Sequence, residues 1–359
     1  MKKNIKVLVI GCGNMGASHA RAYYHMDGFE LAGLVARGPS RRAALAAELG
    51  DAAQFDSLDA ALSATQPDAV SICSYPDSHY DYAIRCLNAG LHLFMEKPLA
   101  ETVEQAMEIA SLAQEKQQKV VVGYILRVHP AWMKFIEVAQ TLGKPLVMRM
   151  NLNQQSKGGE WDTHKQLMQS MSPIVDCGVH YVDVMCQMTR SKPVRVQGIG
   201  ARLSNEIPEN MYNYGQLQVT FEDGSVGWYE AGWGPMMSET AFFVKDVVGP
   251  NGCVCIVDPK ESNDDADSAD IDSHTKTNSL LVHHADRDAD GNFIKKDTLI
   301  DTHDEPDHQE LCNREQAYFL KAIQEDLDLT EHLEDAVNSL RIVLAADESA
   351  RTGTVVTLD

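Results

Sequence analysis

Short apolar runs alternate with helical patterns over the first 124 residues, and this alternation constrains the fold most strongly. The runs cover residues 5–10, 31–36, 69–74, 91–95 and 120–124, and amphipathic segments such as 41–49 and 103–117 separate them. This alternation is typical of a parallel sheet with helices on both faces. Gly50 and Gly90 are suited to end helices, and Ser40 and Thr102 to cap helix starts. We therefore predict an α/β domain of the Rossmann type.

The pattern changes after Pro130. A helix is predicted over 131–142, an extended run follows from Pro145, and a second helix begins at Ser172-Pro173. Strand-like runs then dominate at 194–203, 216–222, 225–233, 240–248, 253–257, 280–284 and 292–300. Asp223-Gly224 is a hairpin signal between two of them, and helices are predicted over 309–323 and 333–350.

Two domains are therefore expected. Residues 1–124 form the Rossmann-type domain, and residues 125–359 form an α/β domain on a large, mostly antiparallel open sheet. The last helices, at about 333–350, are expected to pack back on the first domain. An exposed face of the second sheet is a surface on which copies of the chain can associate.

The charge balance restricts the partners. With 31 Lys and Arg against 52 Asp and Glu, the formal net charge is −21, which disfavours binding to nucleic acid or to anionic lipid. No apolar run approaches the roughly 18 residues of a spanning helix. The eight cysteines include no C-x-x-C pair, so we expect reduced thiols, no metal site and a cytoplasmic location.

The first motif is Gly11-Cys12-Gly13-Asn14-Met15-Gly16, which fits G-x-G-x-x-G. It follows the first predicted strand directly and opens a helix. Glycines at these positions permit the tight turn and let the backbone approach a pyrophosphate at the positive end of that helix. The motif therefore predicts a dinucleotide site.

Cofactor choice depends on the end of the second strand. An NAD enzyme usually has an acid there for the ribose diol, whereas arginine suits the 2′-phosphate of NADP. Here the segment contains Arg37, Ser40 and Arg41 and no acid. We favour NADP, with NAD as the alternative if these arginines only decorate the helix start.

Further motifs follow along the chain. They are Ser74-Tyr75-Pro76-Asp77-Ser78-His79, Glu96-Lys97-Pro98, Gly123-Tyr124 with Arg127, and Asp176-Cys177-Gly178-Val179-His180-Tyr181-Val182-Asp183. In order and spacing, this set resembles the glucose–fructose oxidoreductase, inositol dehydrogenase and rhizopine-catabolism (Gfo/Idh/MocA) family over nearly the whole chain. Two departures are Met171-Ser172-Pro173, where members often carry Gly-Gly, and Ser74-Tyr75-Pro76 in place of Thr-Pro-Asn.

The resemblance implies an NAD(P)-dependent oxidoreductase that transfers hydride between nicotinamide C4 and a secondary alcohol or ketone of a sugar, cyclitol or related polyol. It implies Lys97, Asp176 and His180 as the catalytic set, and Ser74, His79, Glu96 and Lys97 as cofactor neighbours. It also implies a homodimer or homotetramer formed through the second sheet. The alternatives are a non-catalytic NADP-binding sensor on the same fold and a glycosidase of the redox type, whose Gly-His-His or Gly-Gly-His run this chain lacks.

The residue types suit that chemistry. On the helix that opens at Pro173, Asp176, His180 and Asp183 are spaced i, i+4 and i+7 and share a face. A histidine suits the base that takes the hydroxyl proton. We expect Asp176 to orient it or to hold a neighbouring hydroxyl, and Lys97 to hydrogen-bond the forming alkoxide. Without the family, such a polar stripe is more often a solvated surface.

Substrate contacts are harder to assign. By resemblance they come from the second domain, and the candidates are Arg127, Asn153, Trp161, His164 and Tyr181. Trp161 can stack on a sugar or simply anchor its loop.

The D-x-D-x-D-G opening of a calcium-binding EF-hand loop occurs at Asp286-Arg287-Asp288-Ala289-Asp290-Gly291. Its twelfth position is Asp297 rather than glutamate, and its flanks have strand character, so we favour a hairpin turn over a calcium site.

Overall fold

The computed structural model describes residues 4–238, 244–257, 275 and 277–358. The chain divides into two compact units. The first contains Met1–Ile125 and Asp307–Val337, and the second contains Leu126–Pro306 and Asn338–Asp359. Part of the run expected to form a strand at 240–248 lies outside the described residues.

The helices and strands of the described residues are numbered in chain order. The helices are α1 Asn14–His25, α2 Pro39–Glu48, α3 Leu58–Thr65, α4 His79–Asn88, α5 Val103–Glu115, α6 Pro130–Thr141, α7 Gly158–Leu167, α8 Pro173–Asp176, α9 Gly178–Thr189, α10 His308–Gln324 and α11 Thr330–Thr352. The strands are β1 Ile5–Ile10, β2 Phe29–Val35, β3 Gln54–Phe55, β4 Ala69–Ile72, β5 His92–Met95, β6 Val120–Val122, β7 Val147–Gln155, β8 Pro193–Ala201, β9 Tyr214–Phe221, β10 Val226–Gly234, β11 Lys245–Gly249, β12 Gly252–Val257, β13 Ser279–His284, β14 Thr298–Asp301 and β15 Val356–Thr357.

The first unit is a parallel sheet in the order β3-β2-β1-β4-β5-β6. This is the strand order of a dinucleotide-binding doubly wound sheet, in which ligands bind beyond the carboxyl ends of the strands where the order reverses. The predicted Rossmann sheet is confirmed. Because β1 and β4 lie side by side at that reversal, the loops after them border the expected ligand position.

Local signals account for most helix boundaries in the first unit. Gly50 and Gly90 follow α2 and α4 with φ of 68° and 79°, the left-handed conformation that glycine adopts at little cost. The Thr102 hydroxyl caps α5 by accepting from the Gln105 N–H at 3.2 Å. The prediction that Ser40 caps a helix is wrong. Pro39 already occupies the first turn of α2, since proline is preorganised for that position, and Gly38 is the N-cap.

The core of the first unit contains a helix from late in the sequence. Phe319 of α10 is fully buried, stacks on Phe29 with ring centroids 6.2 Å apart, and tilts against Phe94 at the same distance. Burying a phenylalanine contributes about 1.5–3 kcal/mol. The parallel sheet therefore relies for its packing on residues that come after Leu126–Pro306, the larger segment of the second unit, in the chain.

The second unit has a nine-stranded sheet among its described residues, in the order β14-β13-β12-β11-β7-β10-β9-β8-β15. All neighbours run antiparallel except β7 and β10, so the predicted mostly antiparallel sheet is confirmed. Asp223-Gly224 joins β9 and β10 as expected, with Gly224 at φ 83°.

The predicted strand at 292–300 is shorter, because β14 begins only at Thr298. Asp288 instead organises a turn, and its carboxylate accepts from the backbone N–H groups of Asp290 and Asn292 at 3.0 and 2.9 Å. These bonds lower the pKa of Asp288. The flanks of this turn are the strands β13 and β14 and not helices, as the hairpin interpretation expects.

The two faces of the second sheet differ. Tyr229 and Trp233 of β10 are buried on one face, and Tyr229 contacts Gly178 and Tyr181 of α9. By strand alternation, the opposite face carries a set of exposed apolar side chains: Val147, Ile199, Val226, Val248 and Leu299. All eight cysteines are free thiols. None of the helices in the described ranges is both long and apolar enough to cross a membrane.

Candidate functional site

The glycine motif forms the turn between β1 and α1. Gly11 has φ of 96°, and a Cβ there would lie 2.3 Å from the Cys73 carbonyl oxygen. A Cβ on Gly16 would lie 1.9 Å from the Gly11 oxygen, so both positions require glycine. Gly13 differs, because among the described residues no atom beyond its own chain neighbours lies within 4 Å of the place that a Cβ would take there.

That open space lies at the start of α1. Gly13 is the N-cap of α1, with no side chain capping the helix and no acid in its first turn. Cys12 is buried behind the turn, whereas Asn14 and Met15 begin the helix. An uncapped helix N-terminus beside an open glycine suits an anion such as a pyrophosphate. The residues present therefore fit a dinucleotide cofactor.

The segment after β2 is basic and exposed. Arg37, Ser40 and Arg41 all lie on the surface, and the first turn of α2 has no acidic residue. The neighbouring Arg42 has a structural role instead, because its guanidinium donates to the carbonyl oxygens of Ala36 and Phe55. Arg37, Ser40 and Arg41 are therefore the side chains of this segment that face solvent, whereas Arg42 is bound to the protein.

His79 joins two of the sequence motifs. Its ring is buried, and its nitrogens lie 2.8 Å from the Pro98 carbonyl oxygen and 3.0 Å from that of Ser74. Burial lowers the pKa of His79, and the two carbonyl groups partly oppose that shift. The Ser74 hydroxyl lies 2.7 Å from that of Ser78. His79 thus fixes the loop after β4 against the segment after β5.

Glu96 and Lys97 stand at the carboxyl end of β5. One oxygen of the buried Glu96 carboxylate lies 2.7 Å from His19 Nε2, and the other accepts from the Lys97 backbone N–H at 3.2 Å. The backbone N–H of Glu96 donates to the Ile72 oxygen at 2.9 Å. Glu96 therefore holds the backbone of Lys97, and the Lys97 side chain is half-buried.

In the second unit, the predicted helix over Asp176 and His180 begins at Pro173 but is interrupted. The Ser172 hydroxyl caps α8 by accepting from the Val175 N–H, α8 ends at Asp176, and α9 starts at Gly178. Gly178 lets α9 approach β10, since a Cβ there would lie 3.0 Å from the Tyr229 ring. Asp176 and His180 are both half-buried.

Asp183 does not share the half-buried environment of Asp176 and His180. It is 1% exposed and accepts from the Arg127 guanidinium at 2.8 and 2.5 Å, with a further bond from the Gln187 amide at 2.8 Å. Such two-pronged pairing fixes both side chains. Arg127, a candidate for substrate contact, is thus held by Asp183.

The other substrate candidates have different surroundings. Trp161 and Tyr181 are buried, Tyr181 stacks on Tyr229, and burial raises its pKa. His164 is half-buried and stacks on Trp233 with ring centroids 4.4 Å apart.

Asn153 donates to Glu230 at 2.6 Å. By strand alternation and the register of β7 with β10, both lie on the sheet face opposite Tyr229. The structure therefore does not bring Asn153 together with His180, whose helix packs on the Tyr229 face.

Sequence reasoning missed a buried polar group in the first unit. His19 of α1 lies between Glu96 and Gln316, whose amide is 2.9 Å from His19 Nδ1. Helical spacing could have indicated that His19 is buried, because it recurs with Gly16, Ala20 and Tyr23 on one face of α1. A histidine on such a face needs polar partners.

Comparison with known proteins identifies the class. A family description, the oxidoreductase family with an NAD-binding Rossmann fold, matches residues 5–124, and the GFO/IDH/MocA C-terminal domain matches residues 134–245. The chain belongs to the Gfo/Idh/MocA family.

Two relatives illustrate the similarity. The UDP-N-acetylglucosamine 3-dehydrogenase of Acidithiobacillus ferrooxidans is 32% identical over 54% of this chain and 56% of its own length. The D-glucoside 3-dehydrogenase of Escherichia coli is 30% identical over 50% of this chain and 52% of its own length. The chain thus spans about half the length of the curated relatives it matches.

Solved structures share the fold over nearly the whole chain. An NAD binding oxidoreductase from Klebsiella pneumoniae has a TM-score of 0.79 at 20% identity, covering 99% of this chain and 100% of its own. The scyllo-inositol dehydrogenase of Lactobacillus casei, with bound NAD(H) and scyllo-inositol, has a TM-score of 0.77 at 19% identity and covers 99% of each chain. At these identities the likeness establishes the fold alone.

Replacing Asp183 with alanine tests the pair with Arg127. Loss of the buried carboxylate leaves the guanidinium, which is 12% exposed, without its main counter-charge. We expect a loss of about 3–5 kcal/mol in the free energy of unfolding, measured by urea denaturation. The matched control is Asp246→Ala, which breaks the two-pronged pair with the exposed Arg149 and should cost less than about 1 kcal/mol. Equal losses would contradict the assignment.

Proposed function

We propose that the chain is an NAD(P)-dependent dehydrogenase or reductase acting on a secondary alcohol or ketone of a sugar, cyclitol or related polyol. The observation that carries the proposal is Lys97 at the carboxyl end of β5, its backbone held by Glu96, in a sheet with an open glycine turn. The names of the relatives, which include UDP-N-acetylglucosamine, D-glucoside and inositol dehydrogenases, support this substrate class.

The chemistry divides between cofactor and protein. A bound nicotinamide supplies the acceptor or donor of hydride. His180 takes the hydroxyl proton on a ring nitrogen during oxidation and returns it during reduction. Asp176 orients that imidazole or holds a neighbouring hydroxyl, and the Lys97 ammonium donates a hydrogen bond to the alkoxide oxygen.

The favoured cofactor is NADP, with NAD as the alternative. Arg37, Ser40 and Arg41 are exposed together after β2, and the first turn of α2 has no acid to accept from a ribose diol. Arginines at this position suit the extra phosphate. The loops after β4 and β5 border the cofactor position, and they are fixed by contacts of Ser74, His79 and Glu96.

Substrate contacts and partners complete the proposal. His164 is the candidate for direct contact, while Arg127 and Tyr181 support α9, Asn153 ties β7 to β10 through Glu230, and the buried Trp161 packs within the second unit. The exposed apolar side chains on the open face of the second sheet support a homodimer or homotetramer. The net charge of −21 disfavours nucleic acid and membrane partners, and we propose a cytoplasmic location.

A panel of sugars, cyclitols and other polyols, each with NAD and NADP, tests the proposal through the nicotinamide absorbance. We expect turnover with at least one polyol class and a preference for NADP. Tight cofactor binding without oxidation or reduction across the panel would instead identify a non-catalytic sensor.

Lys97→Met and His180→Ala test the catalytic assignment. We expect kcat to fall by about 10²–10⁴-fold, because each variant removes a group that handles the reacting proton or oxygen. The Kd for the cofactor, measured by fluorescence titration, should stay nearly constant. Lys134→Met, at an exposed lysine of α6, is the control. A variant that keeps its kcat would remove that residue from the mechanism.

Arg37→Ala combined with Arg41→Ala tests the cofactor preference. Each lost charge-assisted bond should weaken NADP binding by about 1.5–3 kcal/mol, or roughly tenfold or more, while NAD binding changes little. Arg314→Ala, at an exposed pair with Glu310, is the control. Equal weakening of both cofactors, or of neither, would overturn the NADP assignment.

A further inference from the structure

A buried carboxyl group lies in the first unit beside the residues that hold Lys97. Glu315 of α10 is 3% exposed, and both of its carboxyl oxygens are without a hydrogen-bond partner among the described residues. An ionised carboxylate in such a place is very costly unless paired. No lysine or arginine in the described ranges forms an ion pair with it.

The groups around Glu315 come from several elements. Glu96 faces it from the end of β5, His19 and Tyr23 from α1, Cys73 from the loop after β4, and Cys312 from its own helix. Burial raises the pKa of Glu315, and the Glu96 charge raises it further.

Hydrogen bonds decide which of the two carboxyl groups carries the proton. The Gln316 amide donates to His19 Nδ1, while Gln316 Oε1 accepts from the Tyr23 hydroxyl at 2.5 Å. Since Nδ1 accepts, the hydrogen of His19 lies on Nε2, which donates to Glu96, and Glu96 also accepts from the Lys97 backbone. Glu96 thus has two N–H donors that favour its charged form, whereas Glu315 has none among the described residues.

We propose that Glu315 is a positioning residue that is protonated at neutral pH, and that its uncharged form lets the neighbouring Glu96 remain an anion and hold the Lys97 backbone in place. The functional part of this inference rests on the proposed role of Lys97. If Glu315 ionised while Glu96 stayed charged, two buried like charges would face each other, and the pair avoids this only when Glu96 takes the proton instead. A protonated Glu96 accepts less strongly from His19 and from Lys97.

A metal ion is the competing explanation for this cluster. Ligand atoms of His19, Cys312 and Glu315 lie within 4.8 Å of one another. However, both ring nitrogens of His19 already face protein partners, Glu96 and Gln316. A metal would have to break one of these contacts, so the geometry favours a proton.

Thermal unfolding of Glu315→Gln against pH tests the proton directly, without substrate. A carboxyl group with a raised pKa in the folded state stabilises fully below its ordinary pKa of about 4.3, and that contribution is lost as pH rises. The amide variant lacks this loss. The Tm of Glu315→Gln should therefore gain several degrees on that of the unchanged protein between about pH 5 and 8. Glu325→Gln, an exposed glutamate following the same helix, is the control and should show no such trend.

Infrared spectra in D₂O supply a second measurement. The unchanged protein at neutral pH should show the carbonyl band of a protonated buried acid, and Glu315→Gln should lose it. Absence of that band, a pH-independent Tm difference, or stoichiometric zinc in the purified protein would each overturn the inference. The thermal and infrared measurements need no substrate and stay valid even if no polyol is turned over. Failure of the proposed function can therefore be told apart from failure of this inference.

Turnover measurements test whether Glu315 positions Lys97. Glu315→Ala should lower kcat several-fold without changing the Kd for the cofactor, because it opens a space behind Glu96. Glu315→Gln should restore most of that loss, since it keeps the shape and the neutral charge. If Gln were as impaired as Ala, the neutral form would not be what the site requires.

Discussion

The contact between Gly11, Gly16 and the backbone at Cys73 is the constraint on which the cofactor side of the molecule depends. Carbonyl and Cα atoms approach so closely that a single added Cβ would lie 2.3 or 1.9 Å from an oxygen. Only this closeness lets α1 start directly at the carboxyl ends of β1 and β4. The direction of the helix, the opening at Gly13 and the position of His19 all follow from it.

The sequence was sufficient for the fold because period and turn chemistry agree at most positions. The strand-like runs match observed strands, glycines with positive φ follow helices α2 and α4, and the glycine motif, Ser74 and Glu96-Lys97 follow strand ends. The cap at Ser40 was predicted wrongly because Pro39 already occupies the first turn of α2. The strand at 292–300 is shorter than predicted because its first residues take part in the turn that Asp288 organises.

The candidate site was predictable only in part, because pattern gives spacing and not partners. The spacing of Asp176, His180 and Asp183 suggested one shared face, yet Asp183 is buried by its pairing with Arg127, which lies 56 positions away. Asn153 was a candidate for substrate contact but lies on the sheet face opposite the helices. Such distant pairings depend on tertiary packing, which no local period encodes.

The position of α10 has a consequence for biosynthesis. The Tyr23–Gln316 hydrogen bond joins residues 293 positions apart, so the first sheet lacks part of its core until most of the chain has left the ribosome. Domains usually fold in order as the chain emerges. Here Leu126–Pro306, the larger segment of the second unit, emerges while the first unit still exposes the apolar surface that Phe319 will cover. The second unit in turn includes Asn338–Asp359, so neither unit is complete until residues beyond Pro306 have emerged. The first unit waits longest with part of its core uncovered, and this is the stage most exposed to aggregation.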